Sequence, residues 1–360
     1  MNITLGLVIA VLFIIFQFRL HRSPVHQVLA LLLSLKILTV LCIHFLFSFK
    51  STFSVLQLLS TDCLFLLLLF ININEEQVKF VLRPIILIFL VDVAFNVSLV
   101  VFGVDFFGRP SALRPGDFIP RLHGAFENPM ATVAIAVTAI FIGLILHKRW
   151  LTTFGVIAVL INGTMRAPLT IILIASFWIL LRFRIRFSAL VFCAFSFSGL
   201  VFLVTFVSAV QNGFIDGDVS GFVHGNSLRV LAWINAIEMI PVSPWIGNHT
   251  FLTGPFEMSA DTIRDYGIAE APWLQLALDY GVVVAALDFS IMLVLANALI
   301  KKWGQNQHLN FYFVGALLSI VIFTERFYGV LYGTYIFTPF CLIVFTSILG
   351  HKKFPTYRHS

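Results

Sequence analysis

The chain predicts an all-α, polytopic integral membrane protein, and three observations carry that prediction. Of its 360 residues, 59% are hydrophobic and 11% charged, so that its 40 phenylalanines equal all its lysines, arginines, aspartates and glutamates combined. Soluble domains run nearer ~45–50% apolar and about 25% charged, and a soluble core stops growing near ~250–300 residues. Second, the apolar residues come in continuous runs matching the bilayer's hydrocarbon core, which takes about 20 helical residues to cross. Third, a segment in lipid must satisfy its own backbone N–H and C=O groups, which for such runs leaves only helices. A soluble enzyme, a disordered chain and a nucleic-acid binder are excluded, whatever the net charge of +6 suggests.

Taken in order, the runs fall near 2–18, 27–48, 54–73, 84–104, 128–146, 150–164, 167–181, 187–209, 272–300, 311–325 and 329–349. That is about 11 spans, with 10–12 as the range that the boundaries allow. The first run has no basic leader and no small-residue cleavage site, so it reads as a span rather than a removed signal peptide. The chain then divides into eight spans within 1–209, a large loop at 210–271, three spans within 272–349 and a tail at 350–360. Cys42, Cys63, Cys193 and Cys341 all lie inside apolar runs, without the spacing of a disulfide framework or a metal site.

Lysine and arginine counts in the short loops set the orientation. One set of loops holds 14 basic residues, among them Arg19, Arg22, Lys79, Arg83, Lys148, Arg149, Arg182, Lys301, Lys302 and Lys352. The other set holds 8: Lys50, Arg109, Arg114, Arg121, Arg166, Arg229, Arg264 and Arg326. The first set is predicted to be cytoplasmic, which puts the N-terminus outside and the C-terminus inside. Ten of the 17 acids sit in the outer loops 105–127 and 210–271. Within the second loop, Leu228, Leu231, Ile234 and Ile237 recur every three residues, as on an amphipathic helix lying at the membrane surface.

The polar residues not explained by orientation gather in five outer segments. RLHGAFENP (Arg121 to Pro129) brings Arg121, His123 and Asn128 together around a turn-forming glycine, and Asn128–Pro129 also reads as an ordinary N-cap followed by an N1 proline. NGTMRAP (Asn162 to Pro168) strands Arg166 between two apolar runs, where arginine pairs, binds an anion or snorkels. NSLRVLAWINAIEMIPVSPWIGNHTF (Asn226 to Phe251) carries Arg229, a Pro-x-x-Pro-x-x-Gly turn and His249. AEAPWLQLALDYG (Ala269 to Gly281) places Glu270 just before an N1 proline, a position that the helix dipole favours for any acid. In ERFYG, Arg326 stands beside Glu325, its simplest ion-pair partner. Four outer arginines, Arg121, Arg166, Arg229 and Arg326, run against the positive-inside trend, and forked guanidinium groups suit the oxygens of a diphosphate. Inside the spans, Lys36 has Asp62 or Asp92 as its expected partner, as a structural pair or a proton relay.

These segments resemble the bacterial O-antigen polymerase and O-antigen ligase superfamily of membrane glycosyltransferases. RLHGAFENPMATV is similar to its R-L-x-G-x-F-x-N-P-N element, NGTMRAPLTIIL to T-x-S-R-x-A, the Asn226 segment to R-x(3)-W-x(2)-A…P-x-x-G-x-G, and EAPWLQLALDYGVV to H-[NS]-x-Y-L-Q-x(3)-E-x-G. The matches cover roughly 120–180 and 225–290, in the family's order. Where ligases carry histidine this chain has Glu270, which tilts the resemblance from ligase, the enzyme that transfers glycan to lipid A core, toward polymerase.

The resemblance implies an inverting transfer without metal or cofactor at the periplasmic face of the bacterial inner membrane. Both donor and acceptor would be glycans linked to undecaprenyl diphosphate, with membrane lipids and a chain-length regulator as further partners and no nucleic acid. It also implies that Arg121, Arg166 and Arg229 hold the donor diphosphate and offset its charge, with Arg326, Asn128, His123 and His249 about the substrate. Glu270 would take the proton from the acceptor hydroxyl, with His123 and His249 in reserve, and Phe126, Trp233, Trp245 and Trp273 are candidates for stacking on sugars. A transporter or flippase for the same lipid-linked glycan is the rival of another class; it predicts broken helices and polar residues at mid-membrane.

Overall fold

The computed structural model describes residues 23–47, 52–71, 73–110, 122–126, 128–162, 166–211, 230, 233–234, 236–247, 271–329 and 336–350. Its helices are α1 (Pro24–Phe47), α2 (Thr52–Leu68), α3 (Glu75–Phe102), α4 (Pro129–Ile145), α5 (Arg149–Ile161), α6 (Arg166–Arg182), α7 (Phe187–Gln211), α8 (Pro272–Tyr280), α9 (Val282–Gln305), α10 (Asn310–Tyr328) and α11 (Phe337–Gly350). Single 3-10 turns lie at Gly124–Phe126 and Ile240–Val242. No β-strand occurs among the described residues, only an isolated bridge between Val104 and Pro110. The chain is all-α, as its sequence predicts.

Among the described residues, five helices are long and apolar enough to cross a membrane: α1, α3, α7, α9 and α10. The run at 2–18 lies outside the described residues; of the other ten, nine each overlap one helix and the run at 272–300 overlaps two. Several helices are shorter than their apolar runs. The 13 residues of α5 rise only about 20 Å, against a hydrocarbon core of about 30 Å, and α4 has 17 residues where its run has 19. Hydropathy counts a turn's apolar residues with the helix, which is why the runs overreach.

The run at 272–300 is corrected from one span to two helices, α8 and α9. At the break, Gly281 has φ 87° and ψ 166°. The Val282 N–H donates to Pro244 O at 2.7 Å, and a Cβ on Gly281 would collide with Trp245 O. A side chain is thus excluded at that bend, and the backbone bond that continues a helix is spent elsewhere.

Local chemistry accounts for the other ends. Asn74 and Gln77 form a reciprocal capping box at the start of α3, which ends at Gly103 with φ 74°. Asn128 accepts the Met130 N–H at 2.9 Å and Pro129 opens α4, so Asn128 is the N-cap that its sequence context suggests. Below α3, Asp105 Oδ1 accepts the N–H groups of Phe107 (2.8 Å) and Arg109 (2.9 Å), and Asp105 Oδ2 accepts Arg109 Nε at 2.7 Å. Desolvation pulls the Asp105 carboxyl upward, but these donors outweigh it and hold the group below the usual 3.8.

The residues fall into two compact units. Unit 1 comprises Met1–Leu67, Val191–Leu295 and Phe323–Gly329; unit 2 comprises Leu68–Leu190, Ala296–Ile322 and Val330–Ser360. In unit 2, α4 and α5 form a tightly packed hairpin, because Gly155 lies against Ile140 and Ala136 O while Gly143 lies against Thr152. Lys302 donates to the last carbonyls of α11, Ile348 O (2.7 Å) and Leu349 O (2.8 Å), and Asn310 donates to Leu144 O at the end of α4. Unit 1 holds the buried charges described next.

Candidate functional site

In unit 2, two of the five polar segments singled out in the sequence meet. Asn162, from NGTMRAP, is buried and its Nδ2 donates to Leu122 O (2.9 Å) and Pro129 O (3.4 Å), on either side of the HGAFEN turn. Below that turn lies Asp92 of α3: Oδ1 accepts the Ala125 N–H at 3.0 Å and the Thr132 hydroxyl at 3.4 Å, and Oδ2 accepts Asn96 Nδ2 at 3.2 Å. Asn96 Oδ1 in turn accepts the Gly124 N–H at 3.1 Å. Gly124 has φ 57°, and a Cβ there would collide with Asp92 Oδ1 and Thr132 Oγ1, so glycine is required.

Asp92 therefore anchors a turn. It is not the partner of Lys36, which corrects one of the two pairings that the sequence left open. His123 is buried beside the turn, its Nδ1 3.2 Å from Gly124 O and its Nε2 3.4 Å from Pro110 O. Phe126 is exposed. Arg166 begins α6, with its side chain outside the described residues, as are Arg121 and Glu127.

In unit 1, the other three segments converge. The turn at 241–247 packs on the α8–α9 break: a Cβ on Gly247, whose φ is 75°, would collide with Asp279 O. Val230, Trp233 and Ala236 form a buried cluster with Ala271 and Leu278. Two residues of the amphipathic face expected from the sequence are described, and one of them, Ile234, packs on this cluster. The buried stripe runs through 230, 233 and 236, whereas Ile234 is half-buried and Ile237 exposed; Leu228 and Leu231 lie outside the described residues. The indole of Trp233 decides the face, stacking on Phe202 of α7 at 5.1 Å between centroids.

Four of the buried charges in the same unit form one network. Lys36 Nζ of α1 contacts both Asp62 oxygens of α2, at 3.0 and 2.8 Å, and Asp288 Oδ1 of α9 at 2.7 Å. Asp288 Oδ2 accepts Trp273 Nε1 of α8 at 2.8 Å and pairs with Arg326 Nη1 of α10 at 3.2 Å. Asp288 is thus the hub, and the partner of Arg326 is Asp288 on another helix rather than the adjacent Glu325 expected from the sequence. Trp273 is boxed by Phe289, Phe323 and Phe327, with centroids 4.4–5.3 Å away.

Beside this network lies a cavity of about 380 Å³, within the ~300–1,000 Å³ of small-molecule sites. Its described walls are Phe195, Ser198, Gly199, Val201 and Phe202 of α7, Trp233 and Ile237, Ala271, Trp273 and Leu274, and Arg326 to Tyr328. Ala271 is the N-cap residue of α8, so Glu270 precedes the cap instead of occupying it. Arg229, His249 and Glu270 lie outside the described residues, and Trp245 is exposed. The sequence shows Lys36, Asp62 and Asp288 as charges in apolar runs, but no spacing marks Asp288 as the partner of Arg326, 38 positions away. No protein-family model matches the chain, and no curated protein or solved structure matches it.

Proposed function

We propose that the chain is a polytopic inner-membrane glycosyltransferase of about 11 spans. It extends a surface polysaccharide by moving a glycan from undecaprenyl diphosphate onto a second lipid-linked unit at the periplasmic face. One observation carries this reading: the segments bearing Arg229, Glu270 and Arg326 converge on one cavity in unit 1, through Trp233, Ala271 and Arg326 itself. Arg121, Arg166 and Arg229 hold the departing diphosphate. Glu270, covalently next to a cavity residue, takes the acceptor proton, and the Trp233 and Trp273 rings offer faces for sugar or lipid. The contacts in unit 2 support the assigned sides: Lys302 meets the end of α11, Asn310 the end of α4 and Asn162 the start of α4, each joining ends that the basic-residue count puts on one side.

The test is a gene deletion complemented in turn by wild type, Arg166→Ala and Arg229→Ala. Polymerase loss leaves lipid A core carrying a single repeat unit, and neither variant restores the ladder; a normal ladder with Arg229→Ala sinks the diphosphate role. Ligase loss instead strands polymer on the carrier lipid.

A second reading, transport of the lipid-linked glycan, is favoured by two features: the buried Lys36–Asp62–Asp288–Arg326 network and the interrupted α8–α9 pair. Loss of a flippase removes the single unit as well as the polymer, so the same deletion separates the two.

A further inference from the structure

We infer that the unit 1 cavity is a binding site for the uncharged hydrocarbon chain of a lipid, and that Asp288 makes it so by cancelling the charge of Arg326. This rests on the reading above only in expecting a lipid substrate.

Among the described residues, Arg326 is the one charged side chain in the cavity wall, and an arginine there ordinarily signals an anion. Here its guanidinium already meets Asp288 Oδ2 at 3.2 Å, and the second Asp288 oxygen meets Lys36, which in turn holds Asp62. Among the described residues, two cations face two carboxylates, all buried, and with both carboxylates ionised these four charges cancel. Glu325, next to Arg326 in α10, is also buried, and a carboxylate there gives an incoming anion no attraction.

The rest of the described wall is mostly aromatic and aliphatic, with Phe195, Phe202, Trp233, Trp273, Leu274 and Phe327; of its two hydroxyls, Tyr328 and Ser198, that of Ser198 already donates to Ala194 O at 2.8 Å. Its α7 side offers an entry route. α7 is the least buried of the five helices able to cross a membrane, Phe195 and Phe202 are partly exposed on it, and a Cβ on Gly199 between them would meet no atom within 4 Å. A chain arriving sideways from the bilayer meets open space at that glycine. The diphosphate of a lipid-linked glycan is then left to the outer arginines, and the cavity takes the tail.

The test uses full-length protein in nanodiscs, photolabelled with a diazirine analogue of farnesol and competed with farnesol, farnesyl phosphate or dodecanol. Label is expected on cavity residues and to be lost in Gly199→Phe, which fills the space. In the wild type, farnesol and farnesyl phosphate should compete within about threefold of each other; comparison of farnesol with dodecanol tells an isoprenoid from a straight acyl chain. Asp288→Asn uncovers one positive charge and should make the phosphate the better competitor by about tenfold. Arg326→Gln should shift the preference the other way. The Asp288→Asn/Arg326→Gln double variant is neutral again, should restore parity, and guards against a fold that fails in the single variants.

Label outside the cavity overturns the inference. So does a wild-type preference for the phosphate that Arg326→Gln abolishes, since Arg326 would then be an anion site. Binding is read without transfer, so a chain that binds as described but leaves the glycan ladder unchanged on deletion sinks the proposed activity alone. A true polymerase labelled elsewhere sinks this inference alone.

Discussion

Gly124 carries the sharpest single-residue requirement in unit 2. Its left-handed φ and the Asp92 carboxylate behind it exclude any side chain. Gly124→Ala should cost about 1–3 kcal/mol from backbone strain alone, read as a lower melting temperature of the purified protein, whereas Ala125→Gly on the same turn should cost less. Asp105 predicts a pH dependence of known sign. Its folded-state carboxyl is held below 3.8 by the Arg109 and Phe107 donors, so its contribution is complete above the unfolded value and is lost as pH falls through the folded one. Protection of the Phe107 and Arg109 amides from hydrogen exchange should therefore be constant above about pH 5 and decline in acid below that; Asp105→Asn should abolish the dependence. Asn128 was legible in full, because a cap is a local interaction between residues two apart. The destination of Arg326 was not, because its partner comes from another helix.

Between elements, the buried charges set the energetics of unit 1. Lys36 joins α1 to α2 and α9, and removing one member of a buried pair leaves an uncompensated charge. Lys36→Met should destabilise the protein by about 3–5 kcal/mol, while Lys36→Met/Asp62→Leu should recover most of that loss, since a paired deletion leaves Asp288 with Arg326. Denaturant titration of the two variants side by side checks it; equal losses would mean that Lys36 acts through packing. Helix positions came from apolar runs and caps, which are local. Helix lengths did not, and α8 and α9 read as one span because the break depends on Pro244 and Trp245, some 35 residues earlier.

For the molecule as a whole, the basic-residue count predicts that the turn at 241–247 faces outward and the 306–309 turn faces the cytoplasm. In spheroplasts of a strain whose own four cysteines are replaced, an impermeant maleimide should label Ser243→Cys and spare His308→Cys until the membrane is opened. Labelling in the reverse pattern would invert the topology and move every outer arginine away from the periplasm.

Composition and run length alone determined that lipid is the solvent, that the fold is helical and roughly where its helices lie, because burial and backbone satisfaction in a bilayer leave few alternatives. Order along the chain also picked out the polar segments between the apolar runs. Only the tertiary structure decided which charge meets which: Lys36 with Asp62 and Asp288, Asp288 with Arg326 and Trp273, Asp92 with a turn. A buried charge is stable only beside a partner, and partners separated by tens or hundreds of residues leave no spacing to read.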